Sequence, residues 1–228
     1  MSKKKIAIQG ELGAYSHIAA ENLYKDPEIK TCTTFEETFK QAYNDPSYKI
    51  VIPIENSLAG RVADIHYLLP KYKLQIHGEH FQAVEHNLLC KPDATISDIK
   101  FVRSHAQAIG QCQNLITKKK FKPIISADTA GSAKDLAEGK DKTIAAIASE
   151  LSAKIYNLKI LEKNIEDEKG NFTRFLIMGK NIEQPEFKKE KKFITSCIFR
   201  VKSEPSALYK CLGGFATNQV NLTKLESF

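Results

Sequence analysis

Arginine is scarce in this chain: of its 34 basic residues only Arg61, Arg103, Arg174 and Arg200 carry a guanidinium. A guanidinium grips a carboxylate in a planar, bidentate way that an ammonium cannot match. No apolar stretch approaches the ~20 residues needed to span a bilayer. Met1 to Lys5 leads straight into Ile6-Ala7-Ile8, too short an apolar segment for a signal-peptide core. Cytoplasmic residence, away from any membrane, is the expectation. The five cysteines, Cys32, Cys90, Cys112, Cys197 and Cys211, are odd in number and lack metal-ligand spacing. Free thiols in a reducing compartment follow, with Cys112 read as a buried small residue. None of the six histidines forms an HxxxH pair with an intervening Glu, so no metal or other cofactor is expected. Lysine runs at Lys3–Lys5, Lys118–Lys120 and Lys188–Lys192 lack interleaved aromatics and arginines. That pattern describes solvated surface and not a nucleic-acid interface. The net charge of +7 still favours small anions as partners.

What is present is alternation. Apolar runs with strand character lie at Lys5–Gln9, Lys30–Thr33, Lys49–Ile54, Leu74–Glu79, Lys100–Arg103, Pro123–Ala127, Thr143–Ala146 and Phe172–Gly179. Amphipathic helical patterns lie at Ser16–Tyr24, Phe35–Asn44, Val62–Leu69, Gln107–Lys118, Ser132–Glu138 and Ala148–Leu158. Strands alternating with helices predict an α/β domain of βαβ units with parallel sheets. The charged stretch Lys180–Lys192 reads as a linker. After it, a strand at Phe193–Lys202, a helix at Ser206–Thr217 and a strand start at Val220–Leu225 are expected.

Polar motifs gather where strands end and helices begin: Gly10 to Ser16, Glu55 to Gly60, Ser104 to Gln107 and Asp128 to Ser132. In open α/β sheets that edge binds ligands, and helix N-termini there favour carboxylates or phosphates. Simple N-capping explains Ser16, Asp128 or Thr129 singly. Glu55-Asn56 resists that reading, because a carboxylate and an amide arrive together behind a buried strand. The run Gly170-Asn171-Phe172-Thr173-Arg174-Phe175 is the second such place. On an extended segment Thr173 and Arg174 face opposite ways.

Ile54-Glu55-Asn56-Ser57-Leu58-Ala59-Gly60, Ser104-His105-Ala106-Gln107 with Gln111-Cys112, and Asn171-Phe172-Thr173-Arg174-Phe175 together resemble the signature motifs of the prephenate dehydratase family, in order and approximate spacing. The resemblance covers Lys5 to Lys180. It implies an α/β, two-lobed catalytic domain like a type II periplasmic binding protein, over residues 1–180. Lobe one would hold 1–76 and 168–180, lobe two 77–167, with the site in the cleft. It also implies a partial α+β ACT (ferredoxin-like) regulatory module over 193–228. Ala106 stands where the family usually has proline, which removes rigidity but no functional group.

The implied reaction removes carbon dioxide and hydroxide from the dicarboxylate prephenate, giving phenylpyruvate for phenylalanine biosynthesis. Aromatisation makes it strongly downhill. Hydroxide is a poor leaving group, so a hydrogen-bond donor there matters most. The resemblance assigns catalysis to Thr173, Glu55 and Asn56, with Thr173 bonded to the departing hydroxyl. It assigns substrate contacts to Ser57, Ser104, His105, Gln111, Asn171, Arg174 and Thr129. Arg174 stands open between a carboxylate contact and a structural ion pair; His105 between titration and capping; Gln111 between contact and support. Arogenate dehydratase, or a non-catalytic two-lobed binding protein, is the alternative.

In the tail, the family's phenylalanine-binding Gly-Ala-Leu turn reads Ser206-Ala207-Leu208, and its Glu-Ser-Arg-Pro run reads Glu226-Ser227-Phe228. Ala207, Leu208, Glu226 and Ser227 are therefore expected to form a degenerate effector site responding weakly to phenylalanine. A homodimer or homotetramer is expected if the native chain is complete.

Overall fold

The computed structural model describes residues 3–181, 186 and 188–227. Two compact units result, Met1–Gln184 and Pro185–Phe228.

The first unit is built on two sheets. One contains β1 (Lys5–Gln9), β2 (Glu28–Cys32), β3 (Tyr48–Asn56), β4 (Gly60–Arg61), β5 (Gln75–Ala83) and β11 (Phe172–Gly179), in the order β2-β1-β3-β11-β5 with β4 beside β3. The other contains β6 (Asn87–Cys90), β7 (Phe101–His105), β8 (Lys122–Ser126), β9 (Ile144–Ala148) and β10 (Lys159–Glu162), in the order β10-β6-β9-β7-β8. Each sheet is the centre of one lobe. Helices α1 (Tyr15–Leu23), α2 (Phe35–Asn44) and α3 (Ala63–Tyr72) belong to the first. Helices α4 (Ala106–Gly110), α5 (Gln113–Lys119), α6 (Thr129–Glu138) and α7 (Glu150–Ile155) belong to the second. This is the two-lobed, type II binding-protein arrangement.

Both sheets are covered on both faces. Phe39, Ile50, Ile52 and Ile65 pack on one side of the first sheet, Ile6, Ile8, Val51 and Phe175 on the other. That explains why β3 reads as the near-continuous apolar run Ile50-Val51-Ile52. In the second lobe Leu88, Val102, Ile109 and Ile147 form one layer. The other is largely alanine, with Ala133, Ala146, Ala148 and Ala153 around Leu89 and Leu136.

The expected parallel sheets are mixed. β1 runs parallel to β2 and β3, but β11 is antiparallel to both β3 and β5. A returning strand enters the first sheet from the opposite end, which forces this. In the second sheet β6 is likewise antiparallel to β9 and β10. Strands β6 and β10 are not expected from the sequence, because four-residue runs carry little periodic signal. The first crossing between lobes also lies later than the expected 76/77 boundary. β5 stays paired with β11 from Gln75 to Ala83, so the chain crosses at residues 84–86. It returns over residues 163–171.

The expected helix at Gln107–Lys118 is two helices, broken at Gln111-Cys112. The Asp167 carboxylate accepts from Gln113 N (2.8 Å) and Asn114 N (3.0 Å), capping α5, while Asp167 N donates to the Gln111 carbonyl at 2.7 Å. The second crossing therefore dictates the break. Likewise, the expected helix at Ala148–Leu158 starts only at Glu150, because Ala148 ends β9 and Ser149 caps the helix.

In the second unit the expected helix is α8 (Ala207–Thr217), with Phe199 and Phe215 ring centroids 6.1 Å apart. The expected strands at Phe193–Lys202 and Val220–Leu225 do not form. A strand is held by ladder hydrogen bonds, and no neighbouring strand supplies them among the described residues of this unit. Within the expected linker, residues 182–185 and 187 lie outside the described residues, as does Phe228.

Candidate active site

The two crossings are tied to each other. Val84 N donates to the Asn171 carbonyl and Ile165 N to the His86 carbonyl, each at 2.9 Å. The end of β3, the start of β11 and the α4–α5 break meet at this seam. It gathers Asn56, Ser57, Gln111, Asn171 and Thr173 from 117 residues of separation or less.

The direction of every hydrogen bond here follows from two backbone amides. Leu58 N (3.0 Å) and Ala59 N (2.8 Å) both donate to Asn56 Oδ1, a local turn that asparagine favours. Asn56 Nδ2 must then face the seam. It donates to Asn171 Oδ1 at 2.6 Å and to Thr173 Oγ1 at 3.0 Å, with Phe172 O at 3.2 Å. Since Asn171 presents its oxygen to Asn56, its Nδ2 points the other way and donates to Gln111 Oε1 at 3.0 Å. Gln111 Oε1 lies 2.9 Å from His86 Nε2, so that nitrogen must carry a proton. Thr173 accepts from Asn56, which leaves its own hydroxyl proton for another acceptor. Ser57 completes the seam: its hydroxyl accepts from Phe172 N at 2.9 Å, and its own amide donates to Phe172 O at 2.8 Å.

His86 and Tyr15 were not singled out from the sequence. His86 is 2% exposed, and Tyr15 Oη lies 3.1 Å from its Nδ1 and 2.6 Å from the Glu85 carbonyl. Burial lowers the His86 pKa against the opposing Gln111 hydrogen bond and Glu166 charge, so the neutral ring is favoured. Burial, helped by Glu166, raises the Tyr15 phenol well above its usual value. The only sequence cue to Tyr15 was its place in the Gly10–Ser16 run; His86 sits on the unread approach to β6. The Cys112 thiol, fully buried beside them, is pushed up to about 12, mainly by burial and then by Asp167 and Glu166, which fits an inert packing role.

Other expected site residues lie apart from this seam. Ser104 is 0% exposed and its hydroxyl donates to the Ile147 carbonyl at 2.7 Å, stitching β7 to β9. His105 Nδ1 accepts from Gln107 N at 3.3 Å as the N-cap of α4. Thr129 opens α6, whose first turn is already capped by Asp128 at 2.6 Å from Gly131 N. Arg174 is held by Glu79, with Nη2 at 2.6 Å and Nε at 2.8 Å, and lies 4.0 Å from Glu55. Its guanidinium is engaged on the sheet face opposite Thr173. Ala207, Leu208, Glu226 and Ser227 fall on the first turn of α8 and on irregular chain, none of them buried.

A second contact closes the lobes further along. Gly13 O accepts from Ser149 Oγ at 2.6 Å and Ser152 Oγ at 3.1 Å. Gly13 has φ +90°, and a Cβ there would lie 2.4 Å from Ser152 Oγ. Lys134 reaches Glu11 across the same gap at 3.1 Å. A cavity of about 270 Å³ lies nearby, lined by Tyr15, Glu21, Glu85, Glu150 and Lys154 among others. Three carboxylates against one lysine make it a poor place for a dianion, and Thr173 and Asn56 are not on it. Among the described residues, no cluster of three or more His, Cys, Asp or Glu side chains could hold a metal ion.

Comparisons with known proteins converge on one family. The family model described as prephenate dehydratase matches residues 6–183. A bifunctional N-acyl-homoserine lactone acylase/prephenate dehydratase of Komagataeibacter europaeus is 41% identical over 98% of this chain and 79% of its own. The chloroplastic arogenate dehydratase/prephenate dehydratase 2 of Arabidopsis thaliana is 40% identical over 99% of this chain, which spans 59% of that protein. Among solved structures, the prephenate dehydratase of Arthrobacter aurescens in complex with L-Phe superposes with a TM-score of 0.86 at 24% identity, over 98% of this chain and 75% of that one. That last likeness concerns the fold.

Proposed function

The chain belongs to the prephenate dehydratase family, and from that membership we propose that it converts prephenate to phenylpyruvate, with loss of carbon dioxide and hydroxide, in phenylalanine biosynthesis. The observation that carries the reading is the Asn56–Thr173 bond at 3.0 Å. With Asn56 donating, Thr173 is left as a donor, which is what a departing hydroxide needs. As the bond to the carboxyl carbon breaks, its electron pair enters the ring and the C–O bond opposite cleaves. The oxygen leaves with the C–O bonding pair, and Thr173 bonds to it as negative charge develops. A threonine is too weak an acid to give up its proton outright, so it acts as an oriented donor. Asn56 and Asn171 hold it and shape the cleft. Glu55 and Ser57 border the same strand ends. The role of Arg174 is to brace the sheet through Glu79 and not to grip a substrate carboxylate.

Arogenate is the second substrate to test, because the similar Arabidopsis protein carries both names. Cytoplasmic residence and assembly as a homodimer or homotetramer belong to the same proposal. L-Phenylalanine is the effector proposed for the second unit, acting weakly through Ala207, Leu208, Glu226 and Ser227. Steady-state assays of the purified chain with prephenate and with arogenate decide the matter: phenylpyruvate from prephenate is expected. A folded sample that turns over neither substrate contradicts the reading.

A further inference from the structure

We propose that His86 is a positioning residue for this reaction: by donating to Gln111 Oε1 it holds the Gln111 and Asn171 side chains in place against the Asn56 amide, whose sense the Leu58–Ala59 turn sets, and so steadies the group that aims the Thr173 hydroxyl. The inference rests on the dehydratase reading and names a residue that the motifs do not contain. His86 lies on the first crossing, Asn171 on the second, Gln111 in lobe two and Thr173 in lobe one. A single run of hydrogen bonds of 2.6–3.0 Å joins them. Gln111 Oε1 receives two donors, the His86 Nε2–H and the Asn171 amide. Remove the first and Gln111 Oε1 keeps only the Asn171 donor, so the Gln111 and Asn171 side chains are held less firmly against Asn56. The His86 backbone is itself pinned on two sides: Glu166 Oε2 accepts from its amide at 3.0 Å, and Ile165 N donates to its carbonyl at 2.9 Å. Tyr15 Oη stands 3.1 Å from Nδ1, its one proton directed at the Glu85 carbonyl. The ring thus couples the seating of both crossings to the donor that meets the substrate, and its Nε2–H tautomer is dictated from the Leu58 and Ala59 amides.

The test compares His86→Gln, His86→Asn and His86→Leu with the parent chain. Glutamine sets an amide N–H near the position of Nε2, asparagine near that of Nδ1. In His86→Leu, kcat falls ~10-fold or more with KM changed by less than ~2-fold, as loss of a transition-state orientation requires. His86→Gln recovers to within ~3-fold of the parent, and His86→Asn does not. In a Thr173→Val background, His86→Leu costs less than ~2-fold further, because its target is already gone. A purely structural role gives equal damage from Gln and Asn, or an undiminished cost in the Thr173→Val background, and overturns the proposal. So does parental kcat in His86→Leu. If the leucine variant fails to fold, the Gln–Asn contrast decides. Should the parent turn over neither prephenate nor arogenate, the dehydratase reading fails separately. The imidazole ¹⁵N spectrum of the parent then still judges the chain of bonds: an Nδ1–H tautomer at His86 overturns it.

Discussion

Replacing Asn56 by aspartate changes one NH₂ to oxygen, keeps the shape and adds a negative charge, so it removes the donor role without opening a cavity. Asn56 Nδ2 supplies hydrogen bonds to Asn171 Oδ1 at 2.6 Å and to Thr173 Oγ1 at 3.0 Å. In Asn56→Asp the first contact becomes carboxylate oxygen against carbonyl oxygen. Asn171 is only 3% exposed, so it has little water to turn to. An unsatisfied buried carbonyl costs ~1–3 kcal/mol, and the lost bond to Thr173 another ~0.5–1.5 kcal/mol. The arrangement therefore loses about 2–4 kcal/mol of preference for its present form. Thr173 also reverses: its hydroxyl donates inward to the new carboxylate and is no longer offered to the substrate. Withdrawing an assisting donor of this kind lowers kcat by ~10²-fold or more. Phenylpyruvate formation under saturating prephenate is the assay, with Tm recorded on the same samples. Activity should partly recover as pH falls, since protonation gives the carboxyl group one donor again. A variant within ~3-fold of parental kcat, or a loss that deepens at lower pH while the fold persists, refutes the donor argument.

Ser104→Ala should leave KM unchanged and lower stability by ~1 kcal/mol, read as a shift in denaturation midpoint; a large KM rise would restore Ser104 to the substrate site. Gly13→Ala forces a side chain into a positive-φ position and against Ser152, so a loss of ~1–3 kcal/mol in stability is expected, and an unchanged Tm would contradict the close lobe contact. Burial lowers the pKa of both His86 and His17, so the unfolded chain binds protons first as pH falls through ~6.5. Stability should decline from that pH downwards, and His86→Gln should shallow the decline; an identical slope would show that His86 is not held neutral.

The sequence was most legible where burial imposes a period. β1, α2 and β11 have the bounds that apolar alternation and helical spacing suggest, because each packs one or both faces against a core. β6 and β10 were illegible for the opposite reason: their short runs become strands only through pairing across the second lobe. The motif residues Asn56, Asn171, Thr173 and Gln111 could be named in advance, but not the sense of their bonds, which depends on the turn at Leu58-Ala59. Ser104 and Arg174 show the converse. Their residue types suit a binding site, yet one hydroxyl is spent on a neighbouring strand and one guanidinium on Glu79. His86 carries no local pattern, since its neighbours Tyr15 and Gln111 are brought to it by the two crossings.

The central claim is that the Thr173 hydroxyl assists departure of hydroxide from prephenate. Single-turnover measurement on Thr173→Val and Thr173→Ser, with enzyme in saturating excess over prephenate, the reaction stopped by rapid quench and phenylpyruvate counted, tests it most directly. The account predicts a ~10²-fold or larger fall in the chemical step for valine, which keeps the shape and lacks the hydroxyl, and retention within ~10-fold for serine. A valine variant that forms phenylpyruvate at the parental rate would contradict it.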